Sequence, residues 1–183
     1  MITASTDVLA RYDELATLLA GTAGRAMADP TAVTIAARFI HREARLLDGR
    51  CFRSWLDDFS ADAVLWVPLA AGRPDADQSL YLDDRRRLAE RVAWHERPSS
   101  WAQHPPSTCV RVIGGVEAWD DRGGRIVAES TLIVYEQRLG QAQWLAGRQV
   151  HELVDGPAGW RCRSKILVVP QLAMGVRNPS FLL

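Results

Sequence analysis

The sequence predicts an α+β domain in which N-terminal helices pack on a long, curved, mainly antiparallel sheet. Before residue 60, apolar residues recur with helical spacing. From Thr108 onward, four long segments rich in Val, Ile, Thr and Trp follow one another, separated only by short linkers that contain Gly. Linkers of this length favour hairpins, so the four segments should form an antiparallel meander. The length of 183 residues fits one domain of ordinary size.

Three helices are predicted in the first third of the chain. A short leading helix spans about residues 7–20 and ends at the glycines that follow. A stronger helix spans about residues 31–48, and its apolar residues recur within a stripe that should face a core. A third, shorter helix starts at Cys51 and ends before residue 61.

The second helix carries another apolar stripe, formed by Ile35, Phe39 and Leu46. Arginines separate this stripe from the first, so two faces of one helix need partners. The leading helix can cover the second stripe, or another subunit can. The sequence leaves both alternatives open.

A strand, a loop and a fourth helix connect these helices to the long segments. In order, the sequence predicts a strand at 62–69, an exposed loop at 70–78, a short edge strand at 79–82 and a Pro-rich loop at 101–107. Asp83 and Asp84 favour a helix N-terminus, because carboxylates meet the positive end of the helix dipole there. This helix should end before Pro98.

The four long segments should be strands of one curled sheet. They span about residues 108–119, 125–138, 142–154 and 159–170. Because they exceed the common strand length of about five or six residues, the sheet must twist and curl. Gly114-Gly115 inside the first strand predicts a bulge or sharp bend. Helices packed on the concave face of such a sheet form the cone of cystatin-like and NTF2-like folds.

Period-two alternation predicts the two faces of the last strand. Trp160, Cys162, Ile166 and Val168 fall on one face, whereas Arg161, Arg163 and Lys165 fall on the other. The apolar face should belong to the core. The three cations should lie on a solvated face with cross-strand ion pairs, or alternatively at a charged subunit interface.

Composition excludes several classes of function. Lysine plus arginine and aspartate plus glutamate both number 22, so the net charge is zero and offers no long-range field for nucleic acid or anionic membranes. The chain lacks a membrane-spanning apolar stretch and a secretory signal pattern, so we expect a cytoplasmic protein. The three cysteines and four histidines lack metal-ligand spacing, so we expect no metal and no cofactor in this chain.

A pocket inside the cone could support acid–base chemistry, because an ionisable group in an apolar pocket has a shifted pKa. His41, Asp62 and Tyr81 are the candidates for such a role. Each also has a structural interpretation, which we favour. His41 can lie on the polar side of its helix, Asp62 can cap a turn, and Tyr81 can fill the sheet edge.

Four blocks of the sequence carry a resemblance to a known family. They are residues 39–69 with Glu43-Ala44-x-Leu46-Leu47-Asp48, then Asp83-Asp84-Arg85-x-x-Leu88-x-x-Arg91-Val92, then Trp101-Ala102-Gln103-x-Pro105-Pro106-Ser107, and finally Asn178-x-Ser180-Phe181-Leu182-Leu183. In this order and spacing, the blocks resemble the small, β subunit of aromatic-ring-hydroxylating dioxygenases. The resemblance covers about residues 33–183, so residues 1–30 should form an N-terminal helical extension of one domain spanning 1–183.

The resemblance implies an assembly role in a bacterial oxygenase of aromatic compound catabolism. A larger α subunit is then expected to carry the Rieske iron–sulfur cluster and the catalytic iron, and the β subunit usually holds no metal. The implied assembly is a three-plus-three hexamer with β–β contacts as well as α–β contacts. Candidate interface residues are Arg85, Arg91, Trp101, Pro105, Pro106, Arg161, Arg163, Asn178 and Phe181.

The alternative is a free-standing dehydratase or isomerase that uses an acid–base pocket, because similar cone folds host such enzymes. Two positions count against this alternative. Val67 lies at the position that resembles the one where such isomerases carry their catalytic base. Arg111 lies at the position that resembles the one where such dehydratases carry a histidine.

Overall fold

The computed structural model describes residues 11–22, 24–69, 79–97, 101–121 and 124–175. Within these ranges, the helices are α1 (Tyr12–Gly21), α2 (Pro30–Asp48), α3 (Phe52–Asp57) and α4 (Arg85–Glu96). The strands are β1 (Phe59–Pro68), β2 (Ser79–Asp84), β3 (Thr108–Asp120), β4 (Arg125–Arg138), β5 (Gln141–Val154) and β6 (Arg161–Val168). Short 3-10 turns lie at Trp101–Gln103 and Pro170–Met174. None of the helices in these ranges is both long and apolar enough to cross a bilayer.

Aspartates begin the two longest helices. The Asp29 carboxylate accepts hydrogen bonds from the backbone N–H groups of Thr31 and Ala32 at 2.7 and 3.1 Å, and Pro30 occupies the first helical position of α2. Asp84 accepts from the N–H of Arg87 at 2.8 Å, which confirms the predicted start of α4. These caps supply acceptors for N–H groups that a helix leaves unpaired at its first turn.

The sheet has six strands in the order β2-β1-β6-β5-β4-β3. The four long strands form the predicted antiparallel meander, and β1 joins it by parallel pairing with β6. The short strand β2 lies at one edge, as predicted. Helices that precede a mostly antiparallel sheet confirm the predicted α+β class.

The inner face of the sheet packs on α2. Ala36 and Ile40 of this helix are completely buried against inward-facing residues such as Leu65 of β1 and Leu153 of β5. The second apolar stripe of α2 packs against the same core, and the Phe39 ring lies 6.4 Å from the His151 ring of β5. The curved sheet therefore meets two faces of α2 at once.

The outer face of the sheet is covered at one end by α1. Leu15 of α1 is buried in a second apolar cluster, in which Trp66, Leu82 and Ile166 are the largest sheet residues. Tyr12 adds an edge-to-face contact with Trp66 at 5.2 Å between ring centroids. The leading helix thus covers the sheet and leaves the second stripe of α2 to the main core, because the two lie on opposite sides of the sheet.

The prediction of which β6 residues face the core is wrong beyond Arg163. The register pairs Leu153 with Cys162 but Glu152 with Ser164, so Arg163 is an extra residue that forms a β-bulge. A bulge of one residue reverses the alternation that follows it. As a result, Lys165 points into the core and is only 1% exposed, whereas Ile166 faces outward beneath α1.

The long edge strand β3 is protected by the two ends of α2. The backbone N–H of Arg111 donates to the Asp48 carboxylate at 3.0 Å, and the N–H of Asp29 donates to the Ala118 carbonyl at 2.9 Å. Such contacts occupy groups that an edge strand otherwise leaves open to pairing with another chain. The predicted bulge at Gly114-Gly115 is confirmed by a register shift and by a φ of +57° at Gly115.

Candidate functional site

The interior of the cone contains a buried ionic cluster centred on Glu43 of α2. One carboxylate oxygen accepts hydrogen bonds from the Lys165 ammonium and the Trp55 indole N–H, both at 3.0 Å. The other lies 2.9 Å from Nε2 of His151. All four side chains are buried: Glu43 is 4% exposed and the others 1% or less. α2, α3, β5 and β6 each supply one of these residues.

Mutual pairing keeps Glu43 ionised. Burial by itself would raise the pKa of Glu43, but the Lys165 ammonium and His151 outweigh burial and hold the pKa far below its usual value. The same burial, together with the negative charge of Glu43, raises the pKa of the Cys162 thiol well above its usual value. A carboxylate held so firmly as an anion is a poor general acid or base near neutral pH.

Three grooves at the described surface are not lined by any side chain of the cluster. The smallest, beside Leu47, Phe52 and His95, has a free volume of about 10 Å³, which is roughly the space for one water molecule. His95 has a pKa lowered to about 4, because it is buried and lies near Arg50 and Arg91. The larger grooves, of about 510 and 370 Å³, lie elsewhere, one beside α1 and one beside Trp101.

The three candidate acid–base residues have separate surroundings. His41 is exposed on α2. Asp62 is exposed, and its carboxylate accepts hydrogen bonds from Ser60 and Arg163. Partial burial would raise the pKa of Asp62, but these hydrogen bonds outweigh it and lower the pKa. Tyr81 is buried beneath the Arg91 guanidinium at 3.9 Å from the ring centroid, and burial raises its pKa. Tyr81 pairs with Val67, so about 16 Å of strand separates it from Asp62.

The interface candidates occupy three different settings. Trp101, Pro105 and Pro106 are exposed, and Trp101 is 82% exposed. Arg85, Arg91, Arg161 and Arg163 are half-buried, and three of them bind their own chain: Arg91 binds Asp83, Arg161 donates to the Asp57 carbonyl, and Arg163 binds Asp62 and Glu152. Asn178 and Phe181 lie outside the described residues.

Exposed apolar side chains concentrate at one end of the sheet. Eight large hydrophobic residues are exposed among the described residues, and six of them lie here: Trp101, Val110, Val112, Ile133, Leu139 and Trp144. The described part of the chain contains no group of three or more His, Cys, Asp or Glu side chains arranged to hold a metal ion.

A model of the ring-hydroxylating β-subunit family matches residues 42–174. The chain belongs to this family. It is 36% identical to the N,N-dimethyl phenylurea N-demethylase subunit beta of Sphingobium sp. strain YBL2 over 132 residues, which are 67% of this chain and 75% of that protein. It is 25% identical to the biphenyl 2,3-dioxygenase subunit beta of Rhodococcus jostii strain RHA1, with 84% and 89% covered. It is thus a β subunit and a component of an oxidoreductase.

Solved structures share the fold. A chain of naphthalene 1,2-dioxygenase superimposes with a TM-score of 0.73 at 20% identity, covering 85% of this chain and 87% of that chain. An NTF2-like protein with a cystatin-like fold from Novosphingobium aromaticivorans superimposes with a TM-score of 0.56 at 15% identity, covering 82% and 88%. These neighbours confirm the predicted cone architecture.

Proposed function

We propose that this β subunit is a non-catalytic assembly component, and that a larger α chain carries the Rieske cluster and the catalytic iron. The pairing of the buried ionisable groups inside the cone carries this proposal. A free-standing acid–base enzyme needs space for a substrate next to its ionisable groups. Here His151 and Lys165 both bind the Glu43 carboxylate in that position, so this carboxylate is not available to a substrate.

The donor groups of the chain support assigning both iron centres to the partner. A Rieske cluster needs paired cysteine and histidine ligands, and a mononuclear iron site needs two histidines and a carboxylate that converge. Cys162 is buried beside Glu43, whereas Cys51 is exposed and Cys109 lies half-buried on β3. The four histidines also lie on separate elements or loops.

For the assembly, we propose three β chains and three α chains, with β–β contacts and with each β chain in contact with α. In this arrangement the β chains would hold neighbouring α chains so that the cluster of one lies near the iron of the next. The curated relatives include both a demethylase and dioxygenases, so we assign the choice of reaction and aromatic substrate to α. The exposed Trp101 loop fits a role in partner binding.

We also propose a cytoplasmic location and one family domain with residues 1–30 as an extension. Three free cysteines fit a reducing compartment, because disulfides form mainly in oxidising ones. The family match begins at residue 42, which fits an N-terminal extension that precedes the family core.

The test is purification of the tagged chain from its native cells. We expect an iron-bearing partner of about twice the mass to co-purify in equal amount, measured by light scattering and by iron and sulfide analysis. The metal-stripped chain alone should show no turnover of an aromatic substrate. Activity of the isolated chain, or its recovery only as a homo-oligomer, would overturn the proposal.

A further inference from the structure

The exposed apolar residues lie on a ribbon that extends past the rest of the sheet. β6 pairs with β5 only between Arg148 and Val154, so residues 141–147 of β5 are not paired with β6. Here the sheet consists of residues 108–114 of β3, 131–138 of β4 and 141–147 of β5, which we call the three-strand ribbon.

On its outer side, the ribbon presents two apolar rows across the strands. Val110, Tyr135 and Trp144 form one row, and Val112, Ile133 and Ala146 form the next. The Tyr135 and Trp144 rings lie 4.8 Å apart, so each ring limits the motion of the other. Because α1 covers only the opposite end of this sheet face, the rows remain in water: Val112 is 55% exposed and Trp144 is 64% exposed.

The ribbon is also open to binding on its inner side. Trp101 stands at this side, next to a groove of about 370 Å³ that Glu136, Gln143 and Leu139 help to line. Arg138 fixes the loop, because its guanidinium donates to the carbonyls of Trp101, His104 and Pro105 at 2.8 to 3.2 Å. A tryptophan held on a rigid loop loses little entropy on binding and is typical of interface hot spots.

The two-sided exposure indicates the kind of partner. A second copy that stacks sheet against sheet would cover the outer rows only. A larger chain with an apolar recess can cover both sides and the tip, where Leu139 is 66% exposed.

Size and charge favour the ribbon over the helices as the interface. Two tryptophans can bury roughly 300–500 Å² between them, a large part of the roughly 800 Å² that each partner contributes to a standard interface. The exposed residues of α2 and α4 are mostly charged, as at Arg42, Arg86 and Glu90, and these helices offer a partner no apolar area of this kind.

We propose that the three-strand ribbon inserts into an apolar recess of the iron-bearing α chain, with Trp101 and Trp144 as anchors on its two sides. This inference rests on the proposed function, since it names the surface through which that α chain binds. It assigns no contact to the α1 side of the sheet.

The test compares single variants in the complex obtained from native cells. Trp101→Ala removes the inner anchor, and Trp144→Thr removes the outer anchor while keeping a residue suited to strands. Each should weaken binding of the α chain by about 30-fold or more, as expected for a hot-spot residue. Met27→Ala, at a position 95% exposed outside the ribbon, is the matched control and should change affinity less than about twofold.

A third variant disrupts the proposed interface without disturbing the fold of the free chain. Val112→Lys places a charge on an edge strand, where lysine is tolerated in the free chain but would be buried without a partner in the complex. All variants should unfold near the wild-type temperature when isolated. The inference would be overturned if only one side of the ribbon affected the affinity, or if all three variants left the affinity unchanged. It would also be overturned if the wild-type chain formed a homo-oligomer that Trp144→Thr dissociates. Failure of the wild-type chain to capture any iron-bearing partner would instead overturn the proposed function.

Discussion

The inner and outer faces of the same sheet are completed in different ways. On the inner face, even the ionised groups have partners within the chain, as Glu43 has in Lys165 and Trp55. On the outer face, α1 covers one end and the three-strand ribbon leaves the other end exposed to water. The chain therefore stabilises its own fold through the inner face around α2. It keeps the outer side of the ribbon, together with the exposed Trp101 beside the inner side, available for another protein.

The largest expected effect concerns the inner face. Glu43→Gln keeps the shape of the side chain but removes the negative charge that pairs with the buried Lys165 ammonium at 3.0 Å. Breaking one partner of a buried ion pair costs about 3–5 kcal/mol, so we expect a loss of that size in the free energy of unfolding. Urea unfolding followed by tryptophan fluorescence measures it.

The matched control for Glu43→Gln lies on the outer face. Glu129 pairs with Arg148 at 3.1 Å, and both side chains keep contact with solvent. Glu129→Gln should cost less than about 1 kcal/mol, because solvent screens partly exposed pairs. Equal losses for the two variants would show that the inner face has no special dependence on its ion pairs.

The covered end of the outer face gives the next effect. Leu15 is 1% exposed between α1 and the sheet, so Leu15→Ala removes buried apolar contacts and should cost about 2–4 kcal/mol of unfolding free energy. Thr17→Ala, at an exposed position of the same helix, should change it by less than about 0.5 kcal/mol. If Leu15→Ala behaves like Thr17→Ala, α1 does not stabilise the sheet.

A smaller effect depends on pH. The pKa of His95 is lowered to about 4, so between about pH 6.5 and pH 4 the unfolded chain binds a proton that the folded chain does not. Stability from this neutral histidine is therefore present at pH 7 and lost as the pH falls. Between pH 7 and pH 5 the wild type should lose about 1–2 kcal/mol more than His95→Gln, measured by urea unfolding at both values. An equal loss in both proteins would contradict the expectation.

Local sequence signals predicted most of the elements because their causes are local. The aspartate at the start of α4, the glycine pair in β3 and the alternation of the long strands each act within a few residues. The face of Lys165 was not predictable in this way. It depends on one extra residue, Arg163, whose position is set by the pairing of β6 with β5.

The ionic cluster had a signal that sequence analysis missed. Glu43 lies three residues after Ile40 and four before Leu47, inside the apolar stripe of its helix. A lone carboxylate on a core-facing stripe requires a buried partner. Lys165, which is followed by four apolar residues, was the matching cation. The side of the sheet that α1 covers depends on long-range packing and has no local signal.

The smallest expected effect on stability is at the exposed outer side of the ribbon. In the isolated chain, Trp144→Thr removes one ring contact with Tyr135 but little buried area, so unfolding free energy should fall by at most about 1 kcal/mol. In the complex, the same substitution should reduce the affinity for the α chain strongly. Urea unfolding of the free chain beside a binding titration separates the two effects. A loss of stability equal to that of Leu15→Ala would mean that the ribbon, like the covered end, serves the fold of its own chain.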